Sequence, residues 1–129
     1  MEKIICLDTS ILIDYYRKRD KSKSAFFQLT QKYHLFAVSI ITEYEILVGS
    51  NPEQELFWRD FFDRVTILPF NNMVNKAAVV ITKQLKSENK MIEIPDLFIG
   101  ATSIANHISI ATLNLKHFRR IKDLEIVEL

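Results

Sequence analysis

Along this chain, short unbroken apolar runs alternate with longer stretches whose apolar residues recur at helical spacing. Ile4-Ile5-Cys6-Leu7 is apolar at every position, as a strand covered on both faces should be. The pattern predicts strands at Lys3–Leu7, Leu35–Ser39, Val65–Leu68, Ser109–Thr112 and Ile126–Leu129. Helices are expected at Ser10–Arg19 and Ser22–Tyr33, at Ile40–Val48 with Gly49 as its stop, and at Glu53–Arg64 opened by Pro52. A longer helix, Asn72 to Asn89, carries Val74, Ala77, Ala78, Ile81 and Leu85 on one face. Pro95 opens the next helix, through Asn106, and a short one follows Asn114. Apolar runs alternating with helices predict βα units and a mainly parallel sheet, an α/β fold. With no repeat, low-complexity tract or linker, residues 1–129 read as a single domain.

Composition narrows the function classes. Hydrophobic residues at 48% and charged ones at 26% suit a globular protein rather than a disordered or membrane one. A single cysteine, Cys6, excludes an intrachain disulfide and any multi-cysteine zinc site, and its place in a strand predicts a packed thiol. The first apolar run ends at Asp8, too short for a signal peptide, and no stretch is long enough to span a bilayer, so a cytoplasmic protein without membrane contact is expected. The net charge of +1 names no polyanionic partner. Its distribution says more: Lys116, Arg119, Arg120 and Lys122 fall in one acid-free segment, and Arg17-Lys18-Arg19 in another. Phe57, Trp58, Phe61 and Phe62 share one arc of a helix, a face that either packs on the sheet or covers a partner.

The acids carry the candidate chemistry. Asp8 ends the first strand, at the carboxyl edge where open α/β sheets bind ligands. One residue of Asp8-Thr9-Ser10 caps the following helix, and three in succession exceed what a cap requires. Asp96 follows Pro95 at the head of an apolar helix, which aims it toward the interior or a cleft. Gly100 in mid-helix predicts close backbone packing against the sheet. Glu43 and Glu45 lie roughly 200° apart on the helical wheel, so at most one faces a site, and periodicity does not choose between them. Asp14 is expected to pair with Arg17 or Lys18 on the surface. His34, His107 and His117 are scattered, which argues against zinc, and no serine elbow or glycine-rich phosphate loop is present.

Taken together, Leu7-Asp8-Thr9-Ser10-Ile11-Leu12-Ile13-Asp14, Val38 through Gly49, and Ile94-Pro95-Asp96-Leu97-Phe98-Ile99-Gly100-Ala101-Thr102 resemble a PIN domain. More narrowly, the chain is similar to the VapC-type ribonuclease toxins of toxin–antitoxin pairs, and Thr112-Leu113-Asn114-Leu115-Lys116-His117-Phe118 extends the likeness into that family's T-x-N-x-x-D-F motif. The resemblance implies a three-layer α/β/α sandwich, for which we predict a five-stranded sheet of order 3-2-1-4-5. It implies Asp8, Glu45 and Asp96 as catalytic and metal-ligating acids, with Glu45 acting directly or through water. Thr9, Ser10, Thr112 and Asn114 support them. His117 stands where the motif has an aspartate, a departure that makes the site less negative and bears on whether a second ion is held.

The implied activity is magnesium- or manganese-dependent cleavage of RNA with one or two ions, leaving 5′-phosphate and 3′-hydroxyl ends. Lys116, His117, Arg119 and Arg120 are the candidate phosphate contacts. A small antitoxin and a homodimer are the implied partners. Crowded carboxylates repel unless a cation neutralises them, which agrees with this reading. Haloacid-dehalogenase-like phosphatases would need an aspartate where Ser10 stands, and response-regulator receivers need paired acids that are absent. The remaining rival is a PIN-like RNA- or protein-binding module that does not cleave.

Overall fold

The computed structural model describes residues 2–129. The apolar run forms β1 (Ile4–Leu7), which pairs in parallel with β2 (Leu35–Ser39) on one side and β4 (Ser109–Ala111) on the other. β3 (Thr66–Leu68) pairs in parallel with β2, giving the order β3-β2-β1-β4. Central position explains why β1 has no polar residue: both faces are covered by helices.

The sheet has four strands where the pattern predicts five. Ile126–Leu129 lies beside β4 as expected, but pairs through one parallel bridge, Ile110 to Ile126. The approach to that bridge is a turn with Asp123 at φ 66°, and Glu125 is held by Lys3 and Ser109. Only Val127 of this segment is buried, so Glu128 and Leu129 have no face to keep them in register.

The helices are α1 (Thr9–Arg17), α2 (Ala25–Thr30), α3 (Ile40–Val48), α4 (Pro52–Phe62), α5 (Asn72–Ser87), α6 (Ile94–Ala105) and α7 (Leu115–Phe118). The stretch expected as one helix over Ser22–Tyr33 is divided. A 3₁₀ turn at Lys21–Lys23 ends at Ser24, whose extended backbone (φ −79°, ψ 154°) lets its hydroxyl accept from Phe27 N at 3.2 Å and cap α2. Asp14 pairs with Lys18 at 3.5 Å, as the spacing predicts, and its Oδ2 also accepts the Ala25 N–H at 2.9 Å, tying α1 to α2.

Alternation along β1 divides the core. Ile5 and Leu7 face a cluster built with Ile11, Leu12, Leu29, Ile46, Trp58 and Phe62, from α1 to α4. Cys6 faces the opposite cluster, with Val74, Ile81, Leu85, Leu97 and Phe118 from α5, α6 and α7. The result is a three-layer sandwich. Burial pushes the Cys6 thiol up to about 11, so it behaves as a small apolar side chain. Trp58 and Phe62 are buried and Phe57 and Phe61 half-buried in a ring cluster with Tyr15, Tyr16 and Phe26. This settles that face as packing.

Gly100 packs closely, but against the C-terminal segment rather than the sheet. A Cβ there would stand 2.5 Å from Ile121 Cδ1 and 3.8 Å from Phe118 Cδ1. Gly100→Ala gains about 1 kcal/mol of helix propensity but overpacks by about 1–3 kcal/mol. We expect a net destabilisation of about 1 kcal/mol by urea denaturation. Ile121→Val removes the clashing methyl, so the double variant should lose less than the sum of the two single changes.

Candidate active site

Pairing of β1 with β4 sets two side chains beside each other where the strands end. Leu7 is in register with Ala111, and the Asp8 N–H donates to the Ala111 carbonyl at 3.0 Å. The next residue on β4's side, Thr112, donates its hydroxyl to Asp8 Oδ2 at 2.8 Å. Ser10 donates to the same oxygen through Oγ at 2.7 Å and through its backbone N–H at 3.3 Å, the α1 cap. Ser10 Oγ in turn accepts the Leu113 N–H at 3.0 Å, and Thr112 Oγ1 accepts the Asn114 N–H at 2.9 Å.

Every bond to the Asp8 carboxylate falls on Oδ2. Asp8 is 2% exposed, and its Oδ1 is buried with no hydrogen-bond partner. A buried carboxylate oxygen left without a donor is costly, and rare in a native core without a purpose. Burial pushes the Asp8 carboxyl above its ordinary value, the Ser10 and Thr112 bonds pull it down, and the charge on Asp96 pushes it up again.

The geometry chooses between the two glutamates. Glu45 Oε1 accepts the Thr9 hydroxyl at 2.8 Å, and Thr9 Oγ1 lies 3.1 Å from the hydroxyl of buried Thr42. Ser39 Oγ caps α3 and stands 3.3 Å from the same Thr42 hydroxyl. Burial raises the Glu45 carboxyl, the Thr9 bond lowers it, and the charges of Asp8, Asp96 and Glu93 raise it further. Asp96, in the first turn of α6, accepts at Oδ2 from Asn114 Nδ2 at 3.2 Å and lies 2.9 Å from His117 Nδ1. The expected site residues therefore gather at one rim of the sheet: Asp8, Thr9, Ser10, Glu45, Asp96, Thr112, Asn114 and His117.

Two contributors were not singled out by sequence reasoning as site residues. The signal for Thr42 is a polar residue in an apolar helix, three positions after the capping Ser39. Glu93, three residues before Asp96, adds negative charge near Glu45. Among the candidate phosphate contacts, Lys116 and Arg119 are exposed. Arg120 instead donates to the Lys90 and Met91 carbonyls at 3.4 and 3.0 Å, bracing the segment before α6. His117 turns its Nδ1 inward to Asp96.

Among the described residues, no three acidic, His or Cys side chains stand together as a ready-made ligand set. Glu45 is drawn to Thr9, and Asp96 to Asn114 and His117. Magnesium does not require such a cage: it keeps several waters and binds through one or two carboxylates plus substrate phosphate. The unpartnered Asp8 Oδ1 and an all-oxygen acid set fit a hard cation of that kind.

The sequence profile of the PIN domain matches residues 5–124. The chain belongs to the PIN domain family. This PIN domain is 32% identical over 131 residues to Ribonuclease VapC1 of Methanocaldococcus jannaschii, covering 95% of this chain and 84% of that protein. Its fold superposes on VapBC-1 from nontypeable Haemophilus influenzae with a TM-score of 0.83, at 26% identity and 97% coverage of each chain. A toxin–antitoxin complex from Klebsiella pneumoniae aligns at 0.77, with 26% identity and 96% coverage of each chain. No helix among the described residues of this PIN domain is long and apolar enough to cross a membrane.

Proposed function

We propose that this protein is a metal-dependent endoribonuclease, the toxin of a toxin–antitoxin pair, that hydrolyses RNA phosphodiester bonds at the carboxylate cluster. The observation that carries this reading is the Asp8 carboxylate, fastened through one oxygen and left with the other buried and unpartnered, within reach of the charges of Asp96 and Glu45. Relatives named as VapC ribonucleases support the substrate class.

A magnesium or manganese ion held there would offset the crowded negative charge, lower the pKa of a water molecule and draw charge from phosphoryl oxygens. The chain's own residues do the rest. Ser10 and Thr112 fix Oδ2 of Asp8, so Oδ1 keeps one orientation. Asn114 and His117 fix Asp96 in the same way. Glu45, with its carboxyl raised, is the acid we assign to taking the proton from the attacking water. Attack at phosphorus breaks the P–O3′ bond and leaves 5′-phosphate and 3′-hydroxyl ends. We assign Lys116, exposed on α7, and Arg119, exposed just after it, to flanking phosphates. A small antitoxin and a second copy of the chain are the protein partners this reading assigns, supported by the complexes among its structural relatives.

The test is cleavage of RNA by the purified chain in magnesium. EDTA should reduce cutting to background, and added manganese should restore it. RNA bound but intact across many substrates would replace the nuclease reading with that of a binding module.

A further inference from the structure

Glu45 belongs to two places at once. Its Oε1 accepts the Thr9 hydroxyl at the carboxylate cluster, and the same side chain lines an open cleft of about 220 Å³ between α1, α3 and the first turns of α4. Helical spacing builds the walls. Thr9, Ile13 and Arg17 recur every four residues along α1, with Tyr16 beside them, and Thr42, Glu45, Ile46 and Gly49 share a face of α3. The two helices meet through Thr9 and Thr42, whose hydroxyl oxygens are 3.1 Å apart, and Glu45 stands one turn further on. Buried Trp58 of α4 lines the cleft from the core side, and Ile13, 37% exposed, and half-buried Tyr16 give it an apolar wall. Two donors there are unspent among the described residues. Asp14 is taken by Lys18, which leaves the exposed Arg17 guanidinium without an ion pair. Gln54 uses its Oε1 on the Asn51 N–H, so the hydrogens of Nε2 are available. The Ser50 hydroxyl is drawn back to the Ile46 carbonyl at 2.7 Å.

We infer that this cleft holds one base of the RNA, that of a nucleotide next to the scissile phosphate, and that Arg17 selects a keto base, guanine or uracil, over the amino bases adenine and cytosine. The inference rests on the proposed nuclease reading and deepens it. The cavity is smaller than the roughly 300–1,000 Å³ of a drug-sized pocket, so it suits a single ring better than a longer peptide segment. A phosphate gains nothing from the apolar wall of Ile13 and Tyr16, whereas the face of a base does. A guanidinium fork beside an amide donor pairs with carbonyl oxygens and N7, and is mismatched to an exocyclic amino group. The cleft opens on the β2 side of Asp8, and Lys116 and Arg119 follow β4 on the other side, so a strand held at both places crosses the carboxylates between them.

Two measurements on the full chain test this: sequencing of the ends it leaves on a random-sequence RNA pool in magnesium, and anisotropy of short labelled RNAs, differing in one base, bound in EDTA. Wild type should favour guanine or uracil at one position next to the cut by about tenfold in kcat/KM. Arg17→Lys keeps the charge and loses the fork, and should flatten that preference to within about twofold. Arg17→Glu should turn it toward adenine and cytosine, whose amino groups a carboxylate accepts. Arg17 is exposed at the end of α1, so both variants should melt with wild type. A preference absent in wild type, or unaltered in both variants, overturns the inference and leaves the cleft to a protein partner, while RNA cleavage stands. A loss in Arg17→Lys and Arg17→Glu that is uniform across sequences assigns Arg17 to a phosphate and also overturns it. RNA that binds uncut with a keto preference, lost in Arg17→Lys, removes the nuclease reading and keeps the base site. RNA neither cut nor bound removes both.

Discussion

Asp8→Asn should reduce RNA cleavage by about a thousandfold or more, in a protein that melts no lower than wild type. The two halves of that expectation have one cause. Ionised Asp8 sits where burial disfavours its charge, and the nearby Asp96 charge disfavours it further. An amide keeps the shape and can still accept from Ser10 and Thr112, but carries no charge for a cation. The sign of the pH dependence follows from the raised carboxyl. The folded protein holds the Asp8 proton more tightly than the unfolded chain, so this group's contribution is fully present below the unfolded pKa. It is lost as pH rises through the folded pKa. In metal-free buffer the melting advantage of Asp8→Asn should therefore be largest at neutral pH and shrink as pH falls through that raised value. Thermal melts of both proteins in EDTA across this range, beside cleavage assays in magnesium, check both parts. A variant that is inactive because it is unfolded would refute the assignment of Asp8 to chemistry.

Phe118→Ala should cost about 3–5 kcal/mol and lower the melting temperature by on the order of 10 °C or more. Phe118 has no exposed surface, belongs to the cluster that covers one face of the sheet, and packs near Gly100 of α6. It is also the residue that seats α7, a helix of one turn. The loss therefore reaches the site: Asn114 and His117, four residues and one residue before Phe118, hold Asp96. Phe118→Leu, which keeps much of the volume, should lose less stability and retain cleavage. Equilibrium denaturation of the two variants separates these outcomes.

Much of this architecture is written in local pattern. The apolar Ile4–Leu7 run reads as a strand covered on both sides, and from Ile5 to Leu7 it is; Pro52 opens a helix whose cap, Asn51, exchanges bonds with Gln54 in both directions. The α5 face of Val74, Ala78, Ile81 and Leu85 is buried as its period requires. Other features depend on what lies across space. Nothing in the alternation of Ile126–Leu129 says that it forms one bridge rather than a strand, because the decision lies with Glu125 and its partners on other elements. The helical wheel left Glu43 and Glu45 equivalent; the hydroxyl of Thr9, on another helix, separates them. The motif marked His117 as standing in place of an aspartate and as a candidate phosphate contact, but only the fold brings its ring to Asp96.

Asp8 and Thr112, bonded through their side chains, are 104 positions apart in the chain. During synthesis Asp8 is made long before the Thr112 hydroxyl that orients it and the segment that restrains Asp96. A ribosome-bound fragment that has not reached this segment carries Asp8 without its fastening, so it has no assembled centre. Under the proposed nuclease reading, cleavage is thereby deferred until translation is well advanced.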